Sequence, residues 1–478
     1  MASSLKLNFV LNAIRTFSSI AFPVITFAYV SRILDVQGIG MFDYARSIVS
    51  YFSLIAQLGV ATYGMREIPK VKHDKDKLSK LVAELFSFNL IATVVAYVLF
   101  FTTLFGVDKF EHYRALLLIN GLSIGFCALG LEWLYGALEE YKYITIRTLV
   151  FQVLSFVLLL IFVHEKTDIY IYAAINVFSS VGSNIFNFVH ARRYLQRPIL
   201  KISNILKHTS SIFIFWGNNI AATLYLLVAT TMLGYLCDEY AVGIYSASNK
   251  ICRIFVSLVV SICPILLTRS SAYISDNRST AYEDLSKRAF DCICFMSVPI
   301  AVFLFSYSKE IVLLFSGATF LPAVSLSKIM SILMVIIPAS TFLSMQILIP
   351  YKRESDILIV LFIATIFNAV LSMAFIPKYA YYAAGIINIA TELLILVAYI
   401  IISRKKISLG HVTGSSWHYV VGGLLQMSVI YIFYNRQADE IDIANVLFTG
   451  ILGIIIYFGS LILFKDDFFC YIIKTIKI

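Results

Sequence analysis

The chain alternates long apolar runs with short polar segments along its whole length. A transmembrane helix needs about 20 mostly apolar residues, and fourteen runs approach or exceed that length. Because lipid does not tolerate unpaired backbone groups, and because the runs are too long for barrel strands, each run is predicted to be an α-helix. The predicted spans are residues 7–30, 43–65, 81–106, 115–136, 144–163, 169–190, 211–236, 246–267, 288–306, 323–348, 357–376, 381–402, 418–434 and 443–464.

Four of the predicted helices carry continuous polar stripes. On helix 1 the polar positions are spaced by 4, 3 and 4 residues, and on helix 2 by 3, 4, 3 and 4, so each set lies on one helical face. The stripe on helix 1 is Asn8, Asn12, Arg15 and Ser19. The stripe on helix 2 is Asp43, Arg46, Ser50, Ser53 and Gln57.

Helices 7 and 8 repeat this pattern. Helix 7 carries Asn218, Asn219 and Thr223, and helix 8 carries a broad polar face that includes Lys250 and Arg253. Polar groups inside a membrane are expensive and usually face a cavity. We therefore predict a water-filled cavity between two helical bundles, with Asn12, Asp43, Asn218 and Asn219 in its lining and with four cations, Arg15, Arg46, Lys250 and Arg253.

Simpler interpretations of some of these residues stay open. Lys250 and Arg253 are also expected to reach the outer interface if their side chains snorkel. Arg46 is also placed to pair with Asp43 on the preceding turn. Glu392 lies near the centre of helix 12, where it is either a carrier for a coupling proton or sodium ion or one half of an internal salt bridge.

Composition agrees with a membrane protein. The chain has 478 residues, of which 60% are apolar and 14% are charged, whereas a soluble domain has roughly 25% charged residues. Twenty-six of the 38 Lys and Arg residues fall in the alternate segments that we assign to the cytoplasm, and nine fall in the external ones. By the positive-inside rule, both termini are predicted to be cytoplasmic.

A shift of 203 residues aligns helices 1–2 with helices 7–8. Asp35 then matches Asp238, and Gly40 matches Gly243. An offset of six helices keeps the orientation, so we predict a parallel repeat about an axis along the membrane normal. The predicted domains are a six-helix bundle at 1–205, a second at 206–405, and two further helices at 406–478.

Several classes of function are disfavoured. All predicted loops are short, and the chain has no Walker A sequence, so we expect neither an enzyme nor a transporter driven by ATP on this chain. The charges follow membrane topology and not a nucleic-acid surface. The seven cysteines are scattered, so we expect no metal site, no disulfide framework and no cofactor.

Three stretches resemble the O-antigen and polysaccharide flippases of the multidrug/oligosaccharidyl-lipid/polysaccharide exporter superfamily. They are SRILDVQGIGMFDYARSIVSYFSLIAQLGVATYGMREI after helix 1, LGYLCDEYAVGIYSASNKI between helices 7 and 8, and EIVLLFSGATFLPAV before helix 10. The resemblance implies a MATE-like fold with two bundles in a V. It also implies a flippase in the bacterial inner membrane that moves an undecaprenyl-diphosphate-linked oligosaccharide from the cytoplasmic to the periplasmic leaflet.

Such a transporter would work beside the polymerase and chain-length proteins of its pathway. The predicted cations suit a diphosphate, since the arginine fork binds phosphate in a bidentate manner. Members of the family often have an acidic residue on helix 7, where this chain has Thr230 and Thr231. The alternative function is a MATE-like antiporter for drugs or cations, although such substrates favour an acidic cavity.

Overall fold

Helices account for nearly all of the residues that the computed structural model describes, and those residues contain no strand. The described residues are 5–194, 208–276, 278–404, 414, 416–434 and 443–476. Within them, side chains are described except at 5–17, 20, 210, 211, 214, 215, 218, 219, 221, 222 and 472–476. The chain forms two compact units, Met1–Gly243 and Ile244–Ile478.

The first unit contains nine helices among its described residues and the first turn of a tenth. They are α1 Leu5–Gln57, α2 Val60–Val71, α3 Lys75–Gly106, α4 Arg114–Leu129, α5 Glu132–Ala137, α6 Tyr141–Phe162, α7 Ile169–Val177, α8 Asn184–Ala191, α9 Thr209–Leu236 and the start of α10 Glu239–Val260. A π-helical segment, Phe178–Gly182, joins α7 to α8. Helix α1 packs against α3, α4, α6 and α9, which makes it the centre of the unit.

The second unit continues from α10. Its further helices are α11 Cys263–Ser275, α12 Ser279–Ser306, α13 Ser308–Phe315, α14 Ala323–Met330, α15 Leu333–Phe342, α16 Glu354–Ser403, α17 Ser416–Phe433, α18 Ile443–Leu463 and α19 Asp467–Ile476. A π-helical segment, Leu343–Leu348, extends α15. Helices α17 and α18 pack against each other, and α17 also packs on α12.

Ten helical segments in the described part of the chain are long and apolar enough to cross a membrane. The chain is therefore a multi-pass, all-helical membrane protein, which confirms the predicted class. Two of the ten, Ala21–Val71 and Glu354–Ser403, are 51 and 50 residues long, more than twice what one crossing requires. Each contains a residue with non-helical backbone angles, Asp35 in α1 and Ala380 in α16.

Apolar side chains cover the exposed faces of several helices. On the first half of α16, Ile359, Ile363, Ile366, Val370 and Met373 are all exposed and recur every three or four residues. Helices α3, α6 and α18 expose similar sets of leucine, isoleucine, valine and phenylalanine. These faces suit lipid contact, because a hydrocarbon solvent imposes no cost on exposed apolar groups.

The break in α1 is stabilised by the side chain of the residue that makes it. Asp35 has φ 65°, a left-handed conformation that Asp tolerates better than most residues. Its carboxylate accepts the Val36 N–H at 2.6 Å and pairs with Lys166 at 2.8 Å. The break therefore has both a local hydrogen bond and a charged partner.

Helices α4 and α5 are separated by a second break, at Leu131, where φ is 41°. A break frees backbone carbonyls that need new partners inside a membrane. Helix α8 supplies them, since the Asn184 amide donates to the Phe126 carbonyl at 3.0 Å and the Asn187 amide donates to the Gly130 carbonyl. The asparagines of α8 thus provide hydrogen-bond donors for carbonyls that the break leaves free.

The C-terminal end of α9 is hydrogen-bonded to the segment that precedes α4. Lys109 donates to the Tyr235 carbonyl at 2.6 Å, a favourable position for a cation because the last carbonyls of a helix carry partial negative charge. The Tyr113 hydroxyl donates to Glu239 at the start of α10. Burial and the nearby Glu239 raise the pKa of Tyr113.

The backbones of α1 and α10 cross in close contact at two glycines. A β-carbon on Gly40 would lie 1.8 Å from the Glu239 carbonyl oxygen, and one on Gly243 would lie 2.1 Å from the Val36 carbonyl oxygen. The contact is reciprocal under the 203-residue shift, because Val36 matches Glu239 and Gly40 matches Gly243. Only glycine fits either position.

We expect Gly40→Ala and Gly243→Ala each to destabilise the protein by about 3 kcal/mol or more, because the added methyl group meets backbone that cannot move aside. The measurement is thermal melting of purified protein together with its folded yield. Gly217→Ala in α9 is the matched control, since a β-carbon there meets nothing within 4 Å. A melting temperature for Gly40→Ala equal to that of Gly217→Ala would contradict the close crossing.

Candidate functional site

A cavity of about 530 Å³ lies inside the first unit. Its walls come from α1 to α8, and the break at Gly130 and Leu131 and the π-helical segment after α7 both line it. The volume falls within the range of about 300–1,000 Å³ that is typical of small-molecule sites. The interrupted helices therefore surround the space.

Two arginines and one glutamate give the cavity lining a net formal charge of +1. Arg46 on α1 is exposed there, whereas Arg147 on α6 is buried. Arg147 Nη2 lies 3.4 Å from Glu132 Oε1, on the first residue of α5. The lining thus combines an accessible guanidinium with a buried one that is held by a carboxylate.

Amide side chains supply much of the remaining polar lining. Asn89 on α3, Gln152 on α6, Asn176 on α7 and Asn184 on α8 all line the cavity. The Asn89 Oδ1 and Gln152 Oε1 atoms are buried and have no hydrogen-bond partner among the described residues. Buried acceptors normally have partners, so these two oxygens are suited to water or to the hydroxyl groups of a ligand.

Trp133 provides an aromatic wall. The α2 backbone at Gly64 packs directly on its ring, since a β-carbon on Gly64 would come within 2.5 Å of the indole. The ring is buried and lines the cavity. Phe22 and Pro23 of α1 form apolar surface elsewhere in the lining.

Three residues of the predicted polar stripes lie in this lining. Arg46 lines the cavity, as do Ser19 and Gln57 from the same predicted stripes. Asp43 is buried one turn from Arg46 and is not among the lining residues. The side chains of Asn12, Arg15, Asn218 and Asn219 lie outside those that the structure describes.

The sequence predicts a different kind of cavity, one between two helical bundles, and that cavity stays a prediction. Lys250 and Arg253 belong to the second unit, where Arg253 Nη2 lies 3.0 Å from Glu392 Oε1. Glu392 is 2% exposed, and one turn before it the Asn388 amide donates to the Tyr245 hydroxyl at 3.2 Å. The sequence left two interpretations of Glu392 open, a carrier of a coupling ion and one half of an internal salt bridge. The observed ion pair corresponds to the second.

Several residues of the cavity lining are not part of the predicted polar stripes. Arg147 and Glu132 belong to none of the predicted polar stripes. A stripe on helix 6 could have been found, because its members recur every three or four residues. These are Asn176, Ser180, Asn184 and Asn187, of which the first three line the cavity.

Comparison with known proteins gives a consistent result. The family model described as "Polysaccharide biosynthesis protein" matches residues 5–266, more than half of the chain. Proteins from Escherichia coli (strain K12) and Shigella dysenteriae, both called "Putative O-antigen transporter", are each 22% identical to this chain. The first alignment covers 82% of this chain and 95% of the relative, and the second covers 79% and 94%.

Solved structures share the fold. The lipid II flippase MurJ in an inward closed conformation has a TM-score of 0.77 at 14% identity, over 96% of this chain and 99% of that one. The MATE multidrug transporter DinF-BH has a TM-score of 0.55 at 13% identity, over 84% and 96%. At such low identity these similarities establish the fold, and a MATE-like architecture was the predicted one.

We expect Arg253→Met to destabilise the protein by about 3 kcal/mol, because it leaves the Glu392 carboxylate buried without its cation. The double variant Arg253→Met/Glu392→Met should recover most of that loss, since it buries no lone charge. Thermal melting of the single and double variants measures the coupling. Equal destabilisation by the single and double variants would mean that the loss does not come from an unpaired Glu392 carboxylate.

Proposed function

The chain belongs to the polysaccharide biosynthesis protein family, and from this premise we propose that it is a flippase for lipid-linked oligosaccharides. Its substrate would be an undecaprenyl-diphosphate-linked repeat unit of O-antigen or a similar surface polysaccharide. The direction would be from the cytoplasmic to the periplasmic leaflet of the bacterial inner membrane. The names of the relatives and the flippase fold support a transporter and not an enzyme.

The observation that carries this proposal is the polar cavity inside an otherwise apolar helical unit. A charged or strongly polar headgroup is expensive to place in hydrocarbon, so a flippase must offer it a polar path. Amides, hydroxyls, two guanidinium groups and an indole ring line the cavity. Such a lining suits a glycan, because sugar hydroxyls hydrogen-bond to amides and carboxylates while sugar rings pack on aromatic faces.

The cationic residues would hold the diphosphate. Arg46 is the accessible guanidinium of the cavity, and Arg15, Lys250 and Arg253 are proposed to contact the same group during transport. Asn12, Asp43, Asn218 and Asn219 are proposed to line the substrate path. The lipid tail would stay in the bilayer while the protein alternates between inward-open and outward-open states.

We further propose fourteen spans with both termini in the cytoplasm. The ten long apolar segments become twelve when the two broken ones are each divided, at Asp35 and Ala380. Helices α9 and α17 coincide with the predicted spans 211–236 and 418–434 and bring the number to fourteen. The predicted bundles at 1–205 and 206–405 and the pair of helices at 406–478 are part of this proposal.

Two further roles are proposed from the sequence. Glu392 would either carry a coupling ion or act as the structural partner of Arg253, and its ion pair supports the second role. The polymerase and chain-length proteins of the same pathway would be its functional partners. The alternative function, a MATE-like antiporter for drugs or cations, fits the fold of DinF-BH but not a cavity with a net positive lining.

We expect Arg46→Gln to reduce surface polysaccharide at least tenfold in a strain that depends on this gene, because about 1.4 kcal/mol of lost phosphate binding already gives a factor of ten. Lipid-linked repeat units should accumulate at the same time. Arg46→Lys should keep part of the activity, since it retains the charge but not the bidentate fork. The measurement is the amount of surface polymer relative to protein level.

Arg114→Gln is the matched control. Arg114 is a half-buried arginine whose pair with Glu111, at 3.8 Å, lies outside the cavity. It should leave surface polymer unchanged. Normal surface polymer in a well-expressed Arg46→Gln strain would remove Arg46 from the substrate path, and drug sensitivity without any glycan defect would favour the antiporter.

A further inference from the structure

Three titratable side chains form a buried hydrogen-bond chain that the proposed substrate path does not use. Tyr63 on α2 lies with its hydroxyl 2.8 Å from His208 Nδ1, and Glu84 Oε2 on α3 lies 3.0 Å from His208 Nε2. His208 directly precedes α9. The chain therefore connects the start of α9 to α2 and α3 within the first unit.

All three side chains are more than nine-tenths buried. Tyr63 belongs to an apolar cluster that also includes Val82 and Leu85, beside Glu84 on α3, and Ile212 of α9. Water is therefore excluded from the contact, and electrostatic interactions there are strong. An unbalanced charge at this place would be costly.

The net charge of the buried Glu84–His208 pair depends on whether the pair holds a proton. With one shared proton, Glu84 and His208 are together neutral, either as carboxylate and imidazolium or as carboxylic acid and neutral imidazole. Without that proton they carry a net charge of −1. Only the form that holds the proton carries no net charge, and a buried net charge must be compensated.

The loss of the proton reverses the direction of the hydrogen bonds. In both forms that hold the shared proton, which we call the loaded pair, His208 Nδ1 carries a hydrogen. The Tyr63 oxygen must then accept the hydrogen bond from Nδ1. In the empty pair Nε2 donates to the Glu84 carboxylate, Nδ1 is bare, and the Tyr63 hydroxyl must donate. The protonation of Nδ1 therefore distinguishes the loaded site from the empty one.

We propose that Glu84 and His208 form a proton-binding site that holds the start of α9 against α2 and α3. The proton is retained while the three helices are packed and leaves to water when they separate. Proton release is thereby linked to movement of α9. The link to transport rests on the function proposed above, whereas proton binding itself does not.

Other charged and titratable groups surround the site. On α2, Arg66 lies 5.6 Å from the centre of the Tyr63 ring and pairs with Glu67 at 2.9 Å, so the two charges largely cancel. Tyr135 on α5 and Tyr143 on α6 belong to or pack against the same cluster. On α8, His190 stacks on Tyr143, with ring centres 4.3 Å apart. His190 is thus a nearby histidine outside the proposed site.

Nitrogen-15 NMR of the full chain with labelled histidine, in lipid bilayers, tests the site directly. The chain has seven histidines, and the signals that disappear in His208→Gln identify His208. We expect Nδ1 of His208 to be protonated at acid pH and bare at alkaline pH in the wild type. In Glu84→Gln, which keeps a hydrogen-bonding group of the same shape, this change should be lost.

His190→Gln is the matched control and should leave the His208 transition in place. If His208→Gln fails to fold, Tyr63→Phe identifies His208 instead, because only that ring loses its Nδ1 partner. A His208 signal that is constant across pH, or a transition that survives unchanged in Glu84→Gln, overturns the proposal.

The same variants separate this inference from the proposed function. Glu84→Gln should lower surface polymer at least tenfold with little change in melting temperature, whereas a merely structural hydrogen bond would be preserved by the amide and keep full activity. A constant His208 signal together with a defective Arg46→Gln strain would reject the proton site and retain the flippase. A Glu84-dependent transition together with normal polymer in Arg46→Gln would retain the proton site and count against the substrate path.

Discussion

Every backbone N–H and C=O inside a bilayer must find a partner within the protein, and this requirement decides where the helices of this chain can be interrupted. The break between α4 and α5 has its free carbonyls bound by Asn184 and Asn187. In the second unit the buried Gln346 amide donates to the Cys263 carbonyl at 2.7 Å, at the start of α11. Side chains thus replace the hydrogen bonds that the break between α4 and α5 removes, and a further amide contacts the first residue of α11.

The polar cavity follows from the same requirement. Asparagines that bind freed carbonyls bring polarity into the unit, and the break and the π-helical segment both line the cavity. The lining is therefore made largely of groups that also serve the backbone, such as Asn184. A transport path built in this way needs few charges, and two arginines with one glutamate are what the described lining contains.

The apolar runs predict the all-helical membrane class well, because hydrophobic length alone decides whether a segment can span. The stripes on helices 1 and 2 include Ser19, Arg46 and Gln57, which line the cavity of the first unit, whereas the predicted cavity between two bundles stays a prediction. Arg147 could not be found in this way, because its partner Glu132 lies on another helix and its position near a span end suggested a solvated loop charge.

The helix breaks at Asp35, Leu131 and Ala380 are not predicted by the pattern of apolar residues either. Nothing in the residue type of Ala380 indicates its left-handed conformation, which depends on how the two halves of α16 pack. The Asn368 amide on one half donates to the Thr391 hydroxyl on the other at 3.0 Å, a contact between residues 23 positions apart. Contacts of this kind depend on tertiary packing, which periodicity along the chain does not report.

The attachment of α9 at both of its ends has a mechanical consequence. Lys109 binds the carbonyl of Tyr235 near one end, and His208 is bound by Tyr63 and Glu84 at the other. If the His208 end is released first, α9 becomes a lever about the end that Lys109 holds. With 28 residues and about 1.5 Å per residue it is about 42 Å long, so a rotation of ~10° would carry its free end roughly 7 Å.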